Sequence, residues 1–248
     1  MKSKTLLLLI FCIVLGQAKA QQNMGVYSGL NMTFLETEAM HTKAQQIARS
    51  GALGLFITKQ LNRRYSLQLE VNYTRMGERV DGMQSLHPEQ VLKAGAAAGT
   101  ELFGHYRTDL RLNYLQFPVL MKATVPFSQV LSYYVLIGPA ASWLISPRRV
   151  MTGNSILYTD LAGTKEYLAN DVPITFPIDE RTRLTGYRDI MFSAIGAIGI
   201  NLKMPDSGSF YFESRIQAGF SNIYKKPENQ GENYTNAIGF YLGYSFKL

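Results

Sequence analysis

The feature that most constrains this chain is a strict alternation of apolar and polar residues over long segments. From residue 65 to 74 the odd positions carry Tyr65, Leu67, Leu69, Val71 and Tyr73, and every even position is polar. A period of two puts the apolar residues on one face of a β-strand and the polar residues on the other. The segments that follow residues 208 and 234 repeat this pattern, so an all-β fold is predicted.

Eight strands are predicted, and the connections between them alternate in length. The strands cover residues 24–34, 52–59, 65–74, 110–125, 132–145, 189–204, 210–221 and 235–248. Short turns at 60–64, 126–131 and 205–208 are rich in Asn, Pro, Asp and Gly, which favour turns. Longer connections follow residues 34, 77 and 145, with about fifteen, about thirty and over forty residues, and a shorter one surrounds 225–233.

This alternation of short and long connections predicts an eight-stranded antiparallel up-and-down transmembrane β-barrel with short periplasmic turns and long extracellular loops. The alternative is a soluble β-sandwich, whose strands average five or six residues. Several strands here are ten to sixteen residues long. A tilted crossing of a membrane needs about 9–11 residues, so the barrel is favoured.

The amino terminus has the three parts of a secretory signal. Lys2 and Lys4 precede an apolar run from Thr5 to Leu15, and the small residues Ala18 and Ala20 mark a cleavage site. The run is too short to span a bilayer as a helix, which needs about 20 residues. We therefore expect a signal peptide at 1–20, cleavage after Ala20, a barrel domain at 21–248 and a location in the outer membrane of a Gram-negative cell.

The expected mature chain has no thiol and only a mild positive charge. The single cysteine, Cys12, lies in the signal, so disulfides and thiolate sites are excluded after cleavage. The full chain has a net charge of +7, and the signal removes three lysines and no acid, which leaves +4. No basic run has interleaved aromatic residues, so nucleic acid is not an expected partner.

The alternation also predicts which residues face the lumen. On the fourth strand Leu115, Phe117, Val119 and Met121 should face lipid, and the even positions should face inward. Charged residues predicted to face inward form a candidate lumenal cluster: Glu70, Lys122, Glu213 and Arg215. Because an eight-stranded barrel is only wide enough for its own side chains, we expect these charges to pair and plug the interior. An ion path or a small ligand site in the lumen is the alternative.

Aromatic residues near the predicted strand ends are typical of interfacial girdles. They are Tyr65, Tyr73, Trp143, Tyr224, Tyr234 and Tyr244.

Catalytic and metal-binding patterns are not found. His41, His87 and His105 fall in predicted loops without a Ser and an acid placed beside them. Their spacing matches no metal motif. The chain is therefore expected not to be an enzyme and to need no cofactor. A lipid A-modifying enzyme and a narrow pore remain as remote alternatives.

Arginines bracket the longest predicted loop. Arg148, Arg149, Arg181 and Arg183 lie at its two ends, and a guanidinium can bind a phosphate through two parallel hydrogen bonds. Contacts with lipopolysaccharide phosphates at the outer rim are therefore one interpretation. The other is a solvated face on which the arginines pair with neighbouring acids such as Asp179 and Glu180.

One segment resembles a known family. Tyr114-Leu115-Gln116-Phe117-Pro118-Val119-Leu120-Met121-Lys122 resembles the strand "Y-L-E-I-P-L-L-L-K" of PorT-like outer-membrane β-barrel proteins, and Gly138-Pro139 follows near the end of the next strand, as in that family. Gln116 stands where the family usually has an acid. The resemblance implies the barrel fold, and the family's namesake takes part in a secretion system for cell-surface proteins.

The leading functional expectation is a non-enzymatic outer-membrane barrel with a structural or interaction role through its extracellular loops. Its partners would be outer-membrane lipid, lipopolysaccharide or an envelope protein. An accessory role in protein secretion, as the PorT-like resemblance implies, is the alternative.

Overall fold

Eight long antiparallel strands close into a ring in the computed structural model, which describes residues 22–37, 45–86, 91–92, 94–167, 178–180, 186–205, 208–225 and 233–247. In chain order the strands are β1 (Gln22–Thr37), β2 (Ala48–Gln60), β3 (Tyr65–Ser85), β4 (Phe103–Pro126), β5 (Leu131–Tyr158), β6 (Ile190–Met204), β7 (Gly208–Gly219) and β8 (Asn233–Lys247). Each strand pairs with the next, and β1 also pairs with β8. The sheet therefore has no open edge, as a sheet in lipid requires.

The predicted number of strands and the three short turns are confirmed. The chain turns between Gln60 and Tyr65, between Pro126 and Leu131, and between Met204 and Gly208. These turns lie at one end of the barrel with both ends of the ring-forming segment, Gln22 and Lys247, and this is the end that the sequence analysis predicts to be periplasmic. The long connections lie at the opposite end, which is predicted to be extracellular.

The predicted lengths of two connections are wrong, because three strands continue where loops were expected. β3, β4 and β5 are 21, 24 and 28 residues long, about twice the length needed to cross the membrane. Their outer parts, residues 75–85, 103–113 and 146–158, form a three-stranded sheet that we call the extension. Three two- or three-residue strands lie beside it, of which Gln45–Gln46 pairs with β3 and Glu166–Tyr167 and Ile178–Glu180 pair with β5.

The two faces of each strand differ in exposure as the alternation predicts. On β4, Val119 and Met121 are 44% and 41% exposed on the outer face, whereas Leu120 between them is fully buried in the lumen. The same holds around the ring, where outward Leu, Ile, Val, Phe and Met side chains form a continuous apolar belt. Such a belt is stable only when hydrocarbon covers it.

Large inward side chains are accommodated by glycines on neighbouring strands. A Cβ atom at Gly54, Gly199 or Gly243 would overlap the ring of Tyr27, Tyr134 or Tyr211, respectively. Because these glycines leave room, several tyrosines fit inside a barrel of only eight strands. With Phe56, Leu120 and Leu136, these tyrosines form a hydrophobic cluster in the part of the lumen nearer the short turns.

Candidate functional site

A buried ion cluster crosses the lumen at mid-height. Arg215 of β7 donates two parallel hydrogen bonds to Glu70 of β3, with Nη1 2.7 Å from Oε2 and Nη2 2.9 Å from Oε1. Its Nε also donates to Glu213, two residues earlier on the same face of β7. β3 and β7 are opposite each other in the ring, so this pairing spans the full width of the barrel.

Tyrosines complete the coordination of these charges. Tyr27 donates to Glu70 at 2.6 Å and Tyr134 donates to Glu213 at 2.8 Å. The Arg215 guanidinium lies 4.8 Å from the ring centroids of both Tyr27 and Tyr241, within cation–π distance. Both carboxylates and the guanidinium are therefore paired, as buried charges must be.

Lys122 faces the same interior but forms no ion pair with the cluster. Its Nζ lies 3.9 Å over the centroid of the Tyr134 ring, and the residue is half-buried near the periplasmic end. The structure thus brings Glu70, Glu213 and Arg215 into one ion-paired group and links Lys122 to that group through Tyr134.

A layer of neutral polar side chains lies above the ion cluster. Gln116 donates to Ser142 Oγ at 2.9 Å and to Gln217 Oε1 at 3.2 Å, and Gln217 donates to Ser193 Oγ at 3.1 Å. An acid at position 116 would add a third carboxylate next to Glu70 and Glu213. The amide at this position instead joins β4, β5, β6 and β7 through uncharged hydrogen bonds.

An apolar cluster fills the extracellular mouth of the lumen. Leu112, Tyr114 and Ile223 are fully buried there, together with Tyr187 and Met191. Tyr224 packs against this cluster with its ring 5.2 Å from that of Tyr187, so the expectation that Tyr224 belongs to the interfacial girdle is wrong. Tyr65, Tyr73 and Trp143 are exposed on the outer face at the ends of the apolar belt.

The four rim arginines predicted from the sequence have different environments. Arg148 is on the outer face of β5 and binds Asp179 with two hydrogen bonds of 2.9 and 2.7 Å. Arg149 donates from Nη2 to the hydroxyl of Tyr187 at 3.0 Å, which directs it toward the mouth cluster. Arg181 and Arg183 lie outside the described residues. Lipopolysaccharide contacts by these four residues stay a prediction.

The extension has a small core of its own. Leu102 and Ala94 are fully buried with Tyr106, Met151 and Leu157, and the segment after β3 folds back onto the sheet. The Tyr106 hydroxyl donates to the carbonyl of Ser85 at 2.6 Å, and burial raises the pKa of Tyr106 to about 12. This phenol is neutral at any physiological pH and keeps its hydrogen bond.

The outer face of the extension carries a group of arginines that the sequence analysis did not identify. Arg79, Arg107 and Arg111 surround a single carboxylate, Asp109, and Arg75 lies beside them on β3. On β3 and β4 the odd-numbered side chains face outward. Following this alternation beyond the apolar belt would have identified these arginines.

One of the three histidines of the sequence analysis lies among the described residues. His105 is an exposed residue within β4 rather than in the predicted loop, and His41 and His87 lie outside the described residues. Among the described residues, no group of three or more His, Cys, Asp or Glu side chains is placed to hold a metal ion. No helix formed by the described residues is long and apolar enough to cross a membrane.

Several solved structures of outer-membrane proteins are similar to this chain. Similar solved structures include the attachment invasion locus protein Ail of Yersinia pestis (8% identity, 91% of this chain and 99% of Ail covered, TM-score 0.38) and Neisserial surface protein A (8%, 89% and 96%, TM-score 0.42). Another is the outer membrane protein OprG of Pseudomonas aeruginosa (11%, 94% and 99%, TM-score 0.39).

No curated protein matches the sequence. The family model described as "Outer membrane protein beta-barrel domain" matches residues 17–225, which is most of the chain. The chain therefore belongs to the outer-membrane β-barrel family, and its place is the outer membrane.

Proposed function

We propose that this protein is a non-enzymatic outer-membrane barrel that acts through its extracellular extension, by binding the cell-surface layer or an envelope protein. The observation that carries the proposal is the extension itself. Three strands continue about ten residues beyond the apolar belt and enclose a buried core. A strand needs no such continuation to cross the membrane, so the extra sheet serves contacts outside it.

The filled lumen supports this proposal over a pore. The Glu70–Arg215 pair spans the barrel at mid-height, the amide layer lies above it, and the mouth cluster closes the extracellular end. Each layer is held by hydrogen bonds or by packing between opposite strands. In this proposal the barrel is a rigid support, and the lumenal charges have a structural role.

In vivo crosslinking with and without the extension tests the proposal. Joining Arg75 to Asn113 through an Asn-Gly turn removes residues 76–112, which include nearly all of the outer parts of β3 and β4, at a paired position of the ladder and leaves Thr152 on β5. The shortened barrel should still insert and show heat-dependent mobility on gels. A photo-crosslinker at Thr152 should capture a discrete surface component only when the extension is intact.

A crosslinker at Asn62 in a periplasmic turn is the positional control. It should not capture the same component. If the shortened barrel kept the full Thr152 crosslink, the extension would not be the interaction surface.

A second candidate function is an accessory role in protein secretion at the outer membrane. The observation that favours it is the match of residues 114–122 to the PorT-like strand, in a part of β4 where Tyr114, Gln116 and Leu120 are buried in the lumen. Deleting the gene and measuring the export of cell-surface proteins tests this role. Normal export would argue against it.

A further inference from the structure

The outer face of the extension begins with polar rows directly beyond the apolar belt. Tyr73, Leu115 and Trp143 are paired across β3, β4 and β5 and form the last apolar row. The next rows outward contain Arg75 beside Asn113, Arg111 beside Arg148, and Arg79 beside Asp109, and Arg107 follows on β4. We call Arg75, Arg79, Arg107, Arg111 and Arg148 the arginine patch.

The arginine patch has more positive charge than its neighbours neutralise. Asp109 is 2.6 Å from Arg79, but it is 3.6 Å from Arg107 and 3.8 Å from Arg111, beyond hydrogen-bond distance. Asp109 thus faces three guanidiniums. Asp81 is paired with Arg107 across the ladder and Asp179 binds Arg148, so three acids stand beside the five arginines of the patch. Arg107 Nε is shielded from solvent and, within the described part of the chain, has no hydrogen-bond partner.

Arg111 and Arg148 are directly opposite each other on β4 and β5. Like charges in this position destabilise a sheet unless an anion lies between or beside them. Asp179 already binds Arg148. An additional anion would therefore compensate the charge of Arg111.

Two further arginines flank Arg111 on the outer face. Gly77 lies between Arg75 and Arg79 on β3, and its partner on β4 is Arg111. Gly77 is buried, and a Cβ atom there would lie 2.0 Å from the carbonyl oxygen of Leu110, so the two backbones pass closely and no side chain separates the three arginines. Arg75 is held through its Nε, which donates to Asn113 at 2.9 Å, and its terminal amino groups stay available.

The height of these arginines above the belt identifies the source of the anion. A strand rises about 3.3 Å per residue and tilts by about 40° in such barrels, so Arg75 and Arg111 stand about 5 and 10 Å above the row of Tyr73 and Trp143. The headgroup layer of a leaflet is about 5–8 Å thick. Arg75 therefore lies at the level of the headgroups, and Arg111 lies just above them, where its long side chain can reach back to a headgroup phosphate.

We propose that the arginine patch binds a phosphate of the phosphorylated glycolipid in the outer leaflet, with Arg75 and Arg111 as the principal contacts. Phosphate oxygens accept the charge-assisted, bidentate hydrogen bonds that guanidiniums donate. This contact is with lipid, and it stands whether or not the extension also binds a protein partner.

Binding of purified lipopolysaccharide to the full barrel in detergent micelles tests the proposal. The R75Q/R111Q variant should bind lipopolysaccharide about tenfold or more weakly, because it loses charge-assisted hydrogen bonds. The R63Q/R64Q variant removes the same charge from an exposed periplasmic turn and should bind like the wild type. Dephosphorylated lipopolysaccharide should bind the wild type as weakly as the intact lipid binds R75Q/R111Q.

Three results would overturn the proposal. They are equal binding by R75Q/R111Q and R63Q/R64Q, equal binding of the dephosphorylated lipid, and binding of inorganic phosphate alone as tight as that of the lipid, which would indicate a site for a soluble anion. If R75Q/R111Q did not fold, R75K/R111K keeps the charge and loses the bidentate geometry. Its affinity should then be intermediate between the wild type and the dephosphorylated-lipid control.

Discussion

At the scale of single residues, Arg215 is the side chain on which the interior depends most. It is almost fully buried, and it is the cation that pairs with both Glu70 and Glu213. The alternation predicts that all three residues face inward. It does not predict that Arg215 reaches Glu70, which is 145 residues away in the chain and on the opposite side of the ring.

Replacing Arg215 by methionine should destabilise the barrel severely. Two buried carboxylates would remain without their cation, and breaking a buried pair in this way costs about 3–5 kcal/mol. Urea unfolding in lipid vesicles, followed through the fluorescence of Trp143, the single tryptophan, measures the change. The E70Q/R215M/E213Q variant removes the unpaired charges and should recover most of the loss. A loss below about 1 kcal/mol for R215M, the size of an average substitution, would contradict the structural role.

At the scale of elements, β3 to β5 each consist of a membrane-crossing part and an extracellular part. The change occurs at a bulge, where the partner of β4 shifts from Leu144 opposite Tyr114 to Ser146 opposite Asn113. The extra residue, Ile145, lies just beyond Trp143 at the upper end of the apolar belt. A bulge increases the local twist, so it can redirect the sheet as it leaves the membrane.

Replacing Leu102 by alanine should loosen the extension without affecting the barrel. Leu102 is fully buried in the extension's core, and a cavity of this kind costs about 2–5 kcal/mol. External protease added to intact cells should cleave L102A faster, while the barrel keeps its heat-dependent mobility. Leu92→Ala, in the same segment but exposed, should leave cleavage unchanged. Equal cleavage of the two variants would show that this core does not hold the extension.

The sequence predicts the membrane-crossing part of each strand much better than the extension. In lipid the outer face must be apolar and the inner face carries the polar residues, so Leu67, Leu69 and Val71 alternate visibly with polar neighbours. Beyond the belt both faces may be polar, and Glu78, Arg79 and Asp81 show no period of two. Strand structure there depends on pairing with β4 and on the distant core around Leu102, neither of which a local pattern contains.

At the scale of the whole molecule, the two ends of the barrel differ. Short turns lie at one end, and the extension with its arginine patch lies at the other. Arg148 and Arg149 are separate from the lumenal cluster, since they face outward and toward the mouth and the cluster lies at mid-height. The orientation of the barrel and the removal of the signal peptide can both be tested by labelling cysteines.

Single cysteines introduced at Thr152 and Asn62 should react differently on intact cells. Thr152 is exposed on the extension, so Thr152→Cys should react with a membrane-impermeant maleimide added outside. Asn62 is exposed in a turn at the opposite end, and Asn62→Cys should react only after the outer membrane is permeabilised. The unmodified chain should not react under either condition, because the expected cleavage after Ala20 removes Cys12, the single cysteine. Labelling of Asn62→Cys on intact cells would reverse the orientation, and labelling of denatured, unmodified protein would show that residues 1–20 are retained.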